Sequence, residues 1–240
     1  MLGPMSGPIS IIPITNLTLA LIPPVALLVI LYRWSAGGPT ALYSVGRMLL
    51  QLAVVGYALT FLFGTDHEFI VLMTLAVMIG VAGWIALRPV AANRRADYPR
   101  ALAAITLGGV STLIIVTQGV LAADPWYDAT VMIPLGGMIF ATSMNAVSLS
   151  AERLVAEQSR GTDYITARRI AMQSALIPQI NTLFAVGLVS LPGMMTGQIL
   201  SGVEPLIAVR YQIMVMCMLF GASGLSAACF LVLQRSRLLN

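Results

Sequence analysis

Read along its 240 residues, the chain alternates long apolar runs with short polar clusters. Crossing a hydrocarbon layer about 30 Å thick takes roughly 20 apolar residues in a helix. Seven runs meet that length, at approximately 14–32, 42–63, 69–87, 101–122, 130–151, 175–200 and 207–233. The expected fold is an all-α polytopic membrane protein with about seven transmembrane helices, residues 1–240 forming a single transmembrane domain. Spans one to five occupy 14–151, and spans six and seven occupy 175–233. The charge-poor stretch before them, with Pro4, Pro8 and Pro13, reads as a lead-in. The longest polar insertion, 152–174, is ERLVAEQSRGTDYITARRIAMQS. It predicts a helix, a break at Gly161, and a second helix capped by Thr162 or Asp163.

Charge then orients the spans. All 13 basic residues are arginines. Arg33, then Arg88, Arg94, Arg95 and Arg100, then Arg153, Arg160, Arg168 and Arg169, and finally Arg235 and Arg237 fall in alternate loops and the tail. Arg47 lies near the same edge, close enough to snorkel. The opposite loops hold Asp66, Glu68, Asp124, Asp128 and Glu204, with Arg210 the one basic exception. The positive-inside rule therefore places the N-terminus outside and the C-terminus in the cytoplasm. Residues 152–174 become a cytoplasmic helical segment between helices five and six. The first basic residue follows the first apolar run, the reverse of a cleavable signal peptide, so that run is expected to be retained.

Composition removes several functions. A chain 58% apolar and 9% charged, with a mean hydropathy of +0.91, excludes a soluble globular domain. The net charge of +4 comes from clusters between apolar runs, which argues against nucleic acid. Without a lysine there is no GxxxxGK[ST] phosphate loop, so the chain is not expected to be an enzyme, and ATP and Mg would be bound by a partner. It has no GxSxG, HExxH or CxxC either. Cys217 and Cys229 fall in one expected helix, about 18 Å apart by helical rise, too far to bridge. No carboxylate pair or histidine relay is embedded in a span, which argues against proton exchange.

Polar side chains inside spans need partners or water. Asn145 and Ser148 lie near one face of span five, Asn181 and Thr182 enter span six, Thr196 and Gln198 flank its outer part, and Gln212 starts span seven. They either line a substrate path or bond neighbouring backbone. Pro192, with Gly193, is expected to break span six, since proline lacks the helical donor and clashes one turn back. Such breaks line cation paths in some transporters and are packing kinks in others. Gly193 and Gly197 form a GxxxG pair suited to close helix approach. Met194 and Met195, with Met214, Met216, Cys217 and Met218, make a sulfur-rich zone that suits Cu(I) or simply fills space. Asp66, His67 and Glu68 are either a weak divalent-ion site or a solvated loop.

The segment ALIPQINTLFAVGLVSLPGMMTGQILSGVEPLIAVRYQIMVM, 175–216, closely resembles the FetB-like family of metal-exporting ABC permeases. LPGMMTGQIL followed by a Pro-containing turn and RYQIM carries the likeness, which extends through IPLGGMIFATSMNAVSLSAERL at 133–154 and GRMLLQLAVVGY at 46–57. Membership implies the permease subunit of an ABC transporter, working as a homodimer in a bacterial inner membrane and powered by a separate ATP-binding subunit. GTDYITARRI is similar to the segment through which many ABC permeases dock their ATPase. Glu157, Arg160, Gly161, Thr162, Asp163, Tyr164, Arg168 and Arg169 are the expected coupling residues. Family relatives are associated with iron export in bacteria and aluminium tolerance in plants, so the cargo implied is a metal such as iron. An organic solute such as a sugar nucleotide is the other cargo, and a stand-alone carrier or channel the other class of protein. A third class is a regulator that controls an ATPase without moving cargo.

Overall fold

The computed structural model describes residues 13–64 and 67–238, so Asp66, Pro4 and Pro8 lie outside it. The described chain is helical apart from its turns and one isolated bridge between Val186 and Ser190. It divides into two compact units, Met1–Gly64 and Thr65–Asn240.

The first unit holds α1 (Ile14–Leu19), α2 (Ile22–Arg33) and α3 (Gly38–Phe63). Prolines at 23 and 24 fall in the first turn of α2, where a missing N–H breaks no helical bond. The α2–α3 turn depends on glycine twice. Gly37 sits at φ +80, and a Cβ on Gly38 would lie 2.7 Å from the Tyr32 ring. No residue of α2 is buried and only Gly38 of α3 is, so these apolar helices offer their side chains outward, as lipid-facing helices do.

The second unit starts with α4 (Glu68–Ala86), whose Val71, Leu75, Ile79, Ala82 and Ala86 form one buried stripe. A 3₁₀ turn at Arg88–Asn93 leads into a rod made of α5 (Arg94–Ile105), a π-helical stretch (Thr106–Val110), α6 (Ser111–Ile114) and a second π stretch (Ile115–Val120). Arg94 ties the turn down. Its Nε and Nη2 donate to the Trp84 carbonyl at 3.0 and 2.7 Å, and its guanidinium lies 3.8 Å over the Trp84 ring. The unit continues with α7 (Ala129–Ser159), α8 (Tyr164–Ala185), α9 (Gly193–Leu200) and α10 (Pro205–Leu238). Asp128 caps α7 by accepting from the Thr130 amide at 2.8 Å.

Helix α10 is the centre of this unit, packed against α5, the first π stretch, α7 and α8. Small residues set the spacing. A Cβ on Gly108 would fall 2.5 Å from Ser226 Oγ and 2.6 Å from its backbone nitrogen, and one on Gly136 would fall 2.7 Å from Leu75. Ser143 Oγ donates to the Ala222 carbonyl across α7 and α10 at 3.3 Å. In hydrocarbon, where no water drives helices together, this close approach and hydrogen bonding supply the attraction.

Six helical segments among the described residues are long and apolar enough to span a membrane: Thr15–Arg33, Gly38–Phe63, Glu68–Ala86, Arg88–Val120, Ala129–Ser159 and Pro205–Arg235. They fit the sequence expectation for every run but 175–200, which is two helices, α8 and α9, separated by residues 186–192. Several helices also overrun the expected limits. The expected fourth span, 101–122, belongs to a segment that begins at Arg88, and α7 continues eight residues past 151. Hydropathy detects only the part of a helix immersed in hydrocarbon; arginine and glutamate are good helix formers and carry the same helices on into water.

Candidate substrate path and elbow

The polar segment 152–174 is an elbow rather than a free-standing pair of helices. Its first half is the end of α7 and its second half the beginning of α8. Gly161 turns the chain at φ +82 with nothing within 4 Å of where its Cβ would be, so it is there for backbone freedom alone. Asp163 is the cap of α8, as the sequence allowed. Its Oδ1 accepts from the amides of Ile165 at 3.0 Å and Thr166 at 3.2 Å. Hydrogen bonds from the Thr166 side chain and backbone hold its carboxyl below the usual range.

Glu157 is the hub of the elbow. It is 6% exposed, and it accepts from Arg153 at 2.7 Å, Arg160 at 3.3 Å and Thr162 Oγ1 at 3.2 Å. One buried carboxylate thus fixes the last turn of α7 to the residue after the glycine. Tyr164 closes the far side, its hydroxyl donating to the Leu231 carbonyl of α10. Desolvation raises the Tyr164 phenol above its ordinary value, against the opposing pull of Arg168 and Arg235. Arg168 and Arg169 do not sit at the tip; they line a groove between α8 and α10.

The residues expected to form a path fall into separate groups. Asn145 and Ser148 of α7 line a cavity of about 280 Å³ with Ala175, Pro178 and Gln179 of α8. Asn181 and Thr182 are exposed and do not line it, and Thr182 Oγ1 donates to the Pro178 carbonyl at 2.8 Å. Gln179 takes the place expected for Asn181. One helical turn beyond Ala175, it shares that residue's face.

The break in span six ends at Pro192 and begins several residues before it. Helix α8 ends at Ala185, whose carbonyl accepts from the amides of Leu188 (3.2 Å), Val189 (2.8 Å) and Ser190 (3.1 Å). Gly187 turns at φ +83, the position after the cap where glycine most often ends a helix. Pro192 is the cap of α9, accepting from the Thr196 amide at 3.0 Å and hydroxyl at 3.1 Å. The break therefore leaves these two carbonyls well occupied. Gly193 and Gly197 have open space where a Cβ would stand, so within the chain they bring no second helix close.

Gln198 of α9 and Gln212 of α10 each hold a buried amide oxygen without a hydrogen-bond partner. Gln212 is 6% exposed. Met194, Met195 and Met214 are half-buried, Met216 and Met218 buried, and Cys217 exposed, so the sulfur-rich zone is spread around helices rather than pointed at one centre. Among the described residues no three His, Cys, Asp or Glu side chains are grouped to hold a metal ion. The available chemistry is that of neutral amide and hydroxyl groups, acceptors for a cation or for the donors of a polar solute.

Comparison with known proteins gives a consistent set of relatives. The model of the uncharacterised protein family UPF0014 matches residues 14–239. A UPF0014 membrane protein of Synechocystis sp. is 36% identical over 202 residues, 77% of each chain. The Probable iron export permease protein FetB of Escherichia coli is 32% identical over 217 residues, 81% of this chain and 80% of its own. Protein ALUMINUM SENSITIVE 3 of Arabidopsis thaliana is 29% identical over 201 residues, 78% of this chain and 72% of its own. No solved structure matches.

Proposed function

Because the chain belongs to the UPF0014 family, we propose that this multi-pass membrane protein is the permease subunit of an ABC transporter that exports a metal ion such as iron. The observation that carries the reading is the 32% identity, across four fifths of both chains, with a protein named as a probable iron export permease. The elbow supports it. ATP hydrolysis would take place on a separate subunit, with ATP and Mg bound there, and the exposed tip at Arg160, Gly161 and Asp163 is the contact for that subunit. The positive-inside rule supports a cytoplasmic tip, on the side where ATP is, in a bacterial inner membrane.

Force applied at the tip has two rigid outlets. One is α7, held to the tip by Glu157; the other is α8, capped by Asp163 and pinned to α10 by Tyr164. Both lead to the cavity of Asn145, Ser148 and Gln179. Nucleotide binding by the partner shifts the population between inward-open and outward-open states through these helices.

The break in span six supports a homodimer. Irregular backbone at membrane depth is tolerated where protein or water covers it, and residues 186–191 expose Leu188 (90%) and Val189 (85%). The open faces of Gly193 and Gly197 continue this surface. A second copy covers both, and cargo passes near the seam, beside the unpartnered amide oxygens of Gln198 and Gln212.

The test is reconstitution with the candidate ATP-binding subunit in vesicles and measurement of ATP-dependent iron flux. Flux is expected only with both proteins present, and Gly161→Pro, which cannot adopt φ +82, should abolish both subunit association and flux. Flux from this chain alone without ATP would overturn the reading in favour of a carrier or channel.

A further inference from the structure

The groove between α8 and α10 shares no lining residue with the polar cavity, and its chemistry is of a different kind. It encloses about 540 Å³, within the range of ligand cavities of roughly 300–1,000 Å³. Two arginines, Arg168 and Arg169, line its α8 side. Among the described residues, the ion pairs involve Arg100, Arg153 and Arg160, and neither groove arginine is in one. Arg235, one turn beyond Leu231 on α10, acts on Tyr164 together with Arg168, so positive charge gathers at this end from both helices.

Away from the arginines the groove turns mainly apolar, with Gln173 the polar side chain on its deeper α8 side. Met172 lies one turn deeper on α8, about 6 Å from Arg168 by helical rise, and Ala228, Leu231 and Val232 face it from α10. The two helices run in opposite senses, yet each presents charge toward the elbow end and hydrocarbon toward the interior. A cationic rim above an apolar trough is the inverse of an anionic amphiphile. Two guanidinium groups suit phosphate, which they bind through charge-assisted hydrogen bonds. A soluble protein segment reaching the tip would meet the arginines but has no reason to fill the trough below.

We propose that the α8–α10 groove holds an anionic phospholipid, its phosphate on Arg168 and Arg169 and an acyl chain along Met172, Ala228, Leu231 and Val232. Basic pockets between membrane helices bind such headgroups elsewhere. The bound lipid stiffens the junction that Tyr164 makes with α10, and so makes the elbow sensitive to the charge of its leaflet. The proposal needs only that the chain spans a bilayer, and is independent of ATP-driven transport.

Native mass spectrometry of the full-length protein, released from micelles supplied with equal phosphatidylglycerol and phosphatidylcholine, tests it without any ATPase. Retention of phosphatidylglycerol is expected, and the paired change Arg168→Gln and Arg169→Gln should reduce it on the order of tenfold. Val232→Trp, which fills the trough and leaves both arginines, should also displace the lipid. Equal retention of the two lipids, or phosphatidylglycerol retention unchanged in both variants, would overturn the assignment. So would loss of ATP-binding-subunit association in the arginine variant with lipid retention intact, since the face would then belong to a protein partner.

Discussion

Glu157 concentrates three polar contacts on one buried carboxylate, and its partners differ in exposure: the side chain of Arg153 is 37% exposed and that of Arg160 66%. When the carboxylate is removed, both guanidinium groups can turn toward water, so the loss is smaller than for a fully buried pair. Glu157→Ala should lower stability by about 1–3 kcal/mol, with Glu157→Gln milder because the amide oxygen still accepts from Thr162. Thermal unfolding in detergent reads this, and an unchanged midpoint for Glu157→Ala would show that the hub is dispensable. The spacing of Arg153 and Arg160, four before and three after Glu157, was visible in the sequence as ordinary helix-surface pairing. The burial was not, because it comes from neighbouring elements the spacing cannot show. Gln179 follows from its neighbours in the same way: it lies one turn beyond Ala175, whose burial against Ala146 and Ala227 only the packing shows.

Among the elements, the elbow was the most legible from sequence and the 88–120 rod the least. Gly161 and Asp163 each carry a local reason for their role, a positive φ in one case and an oxygen facing free amides in the other, so no distant contact had to be known. The π stretches at Thr106–Val110 and Ile115–Val120 have no such marker; the first sets Gly108 against Ser226 and Gly109 against Phe140, distant contacts that local sequence does not show. The end of α8 lay between these extremes. Gly187 was available as a stop signal for the start of the break, and Pro192, the stronger helix breaker, marks its end. The cap also predicts a pH response. With the folded carboxyl of Asp163 held below its unfolded value, the cap's contribution is present above the ordinary carboxylate pKa of about 3.9 and is lost as pH falls through the folded value. Hydrogen-exchange protection of the Ile165 and Thr166 amides should therefore be constant from pH 7 to 5 and fall in acid. Asp163→Asn should remove the pH dependence while keeping protection, and Asp163→Ala should lose protection throughout.

For the whole molecule, hydropathy was enough to identify a helical membrane protein, since length and polarity alone decide which helices span. What joins the helices was less visible, because small residues carry it and their role depends on what faces them. Gly108 and Gly197 look alike in the sequence, yet one is pressed against Ser226 and the other faces open space. That difference predicts different consequences for bulk. Gly197→Leu should leave the monomer fold intact and abolish the proposed homodimer, read by cross-linking in membranes, whereas a dimer that survives would place the seam elsewhere. Gly108, where an added Cβ would stand 2.5 Å from Ser226 Oγ, holds the rod and α10 in close backbone contact. These two helices thus make a natural internal ruler. Spectroscopic labels fixed on them would stay at constant separation through a working cycle, and displacement of a third label on α9 could be read against them as the protein's own moving hand.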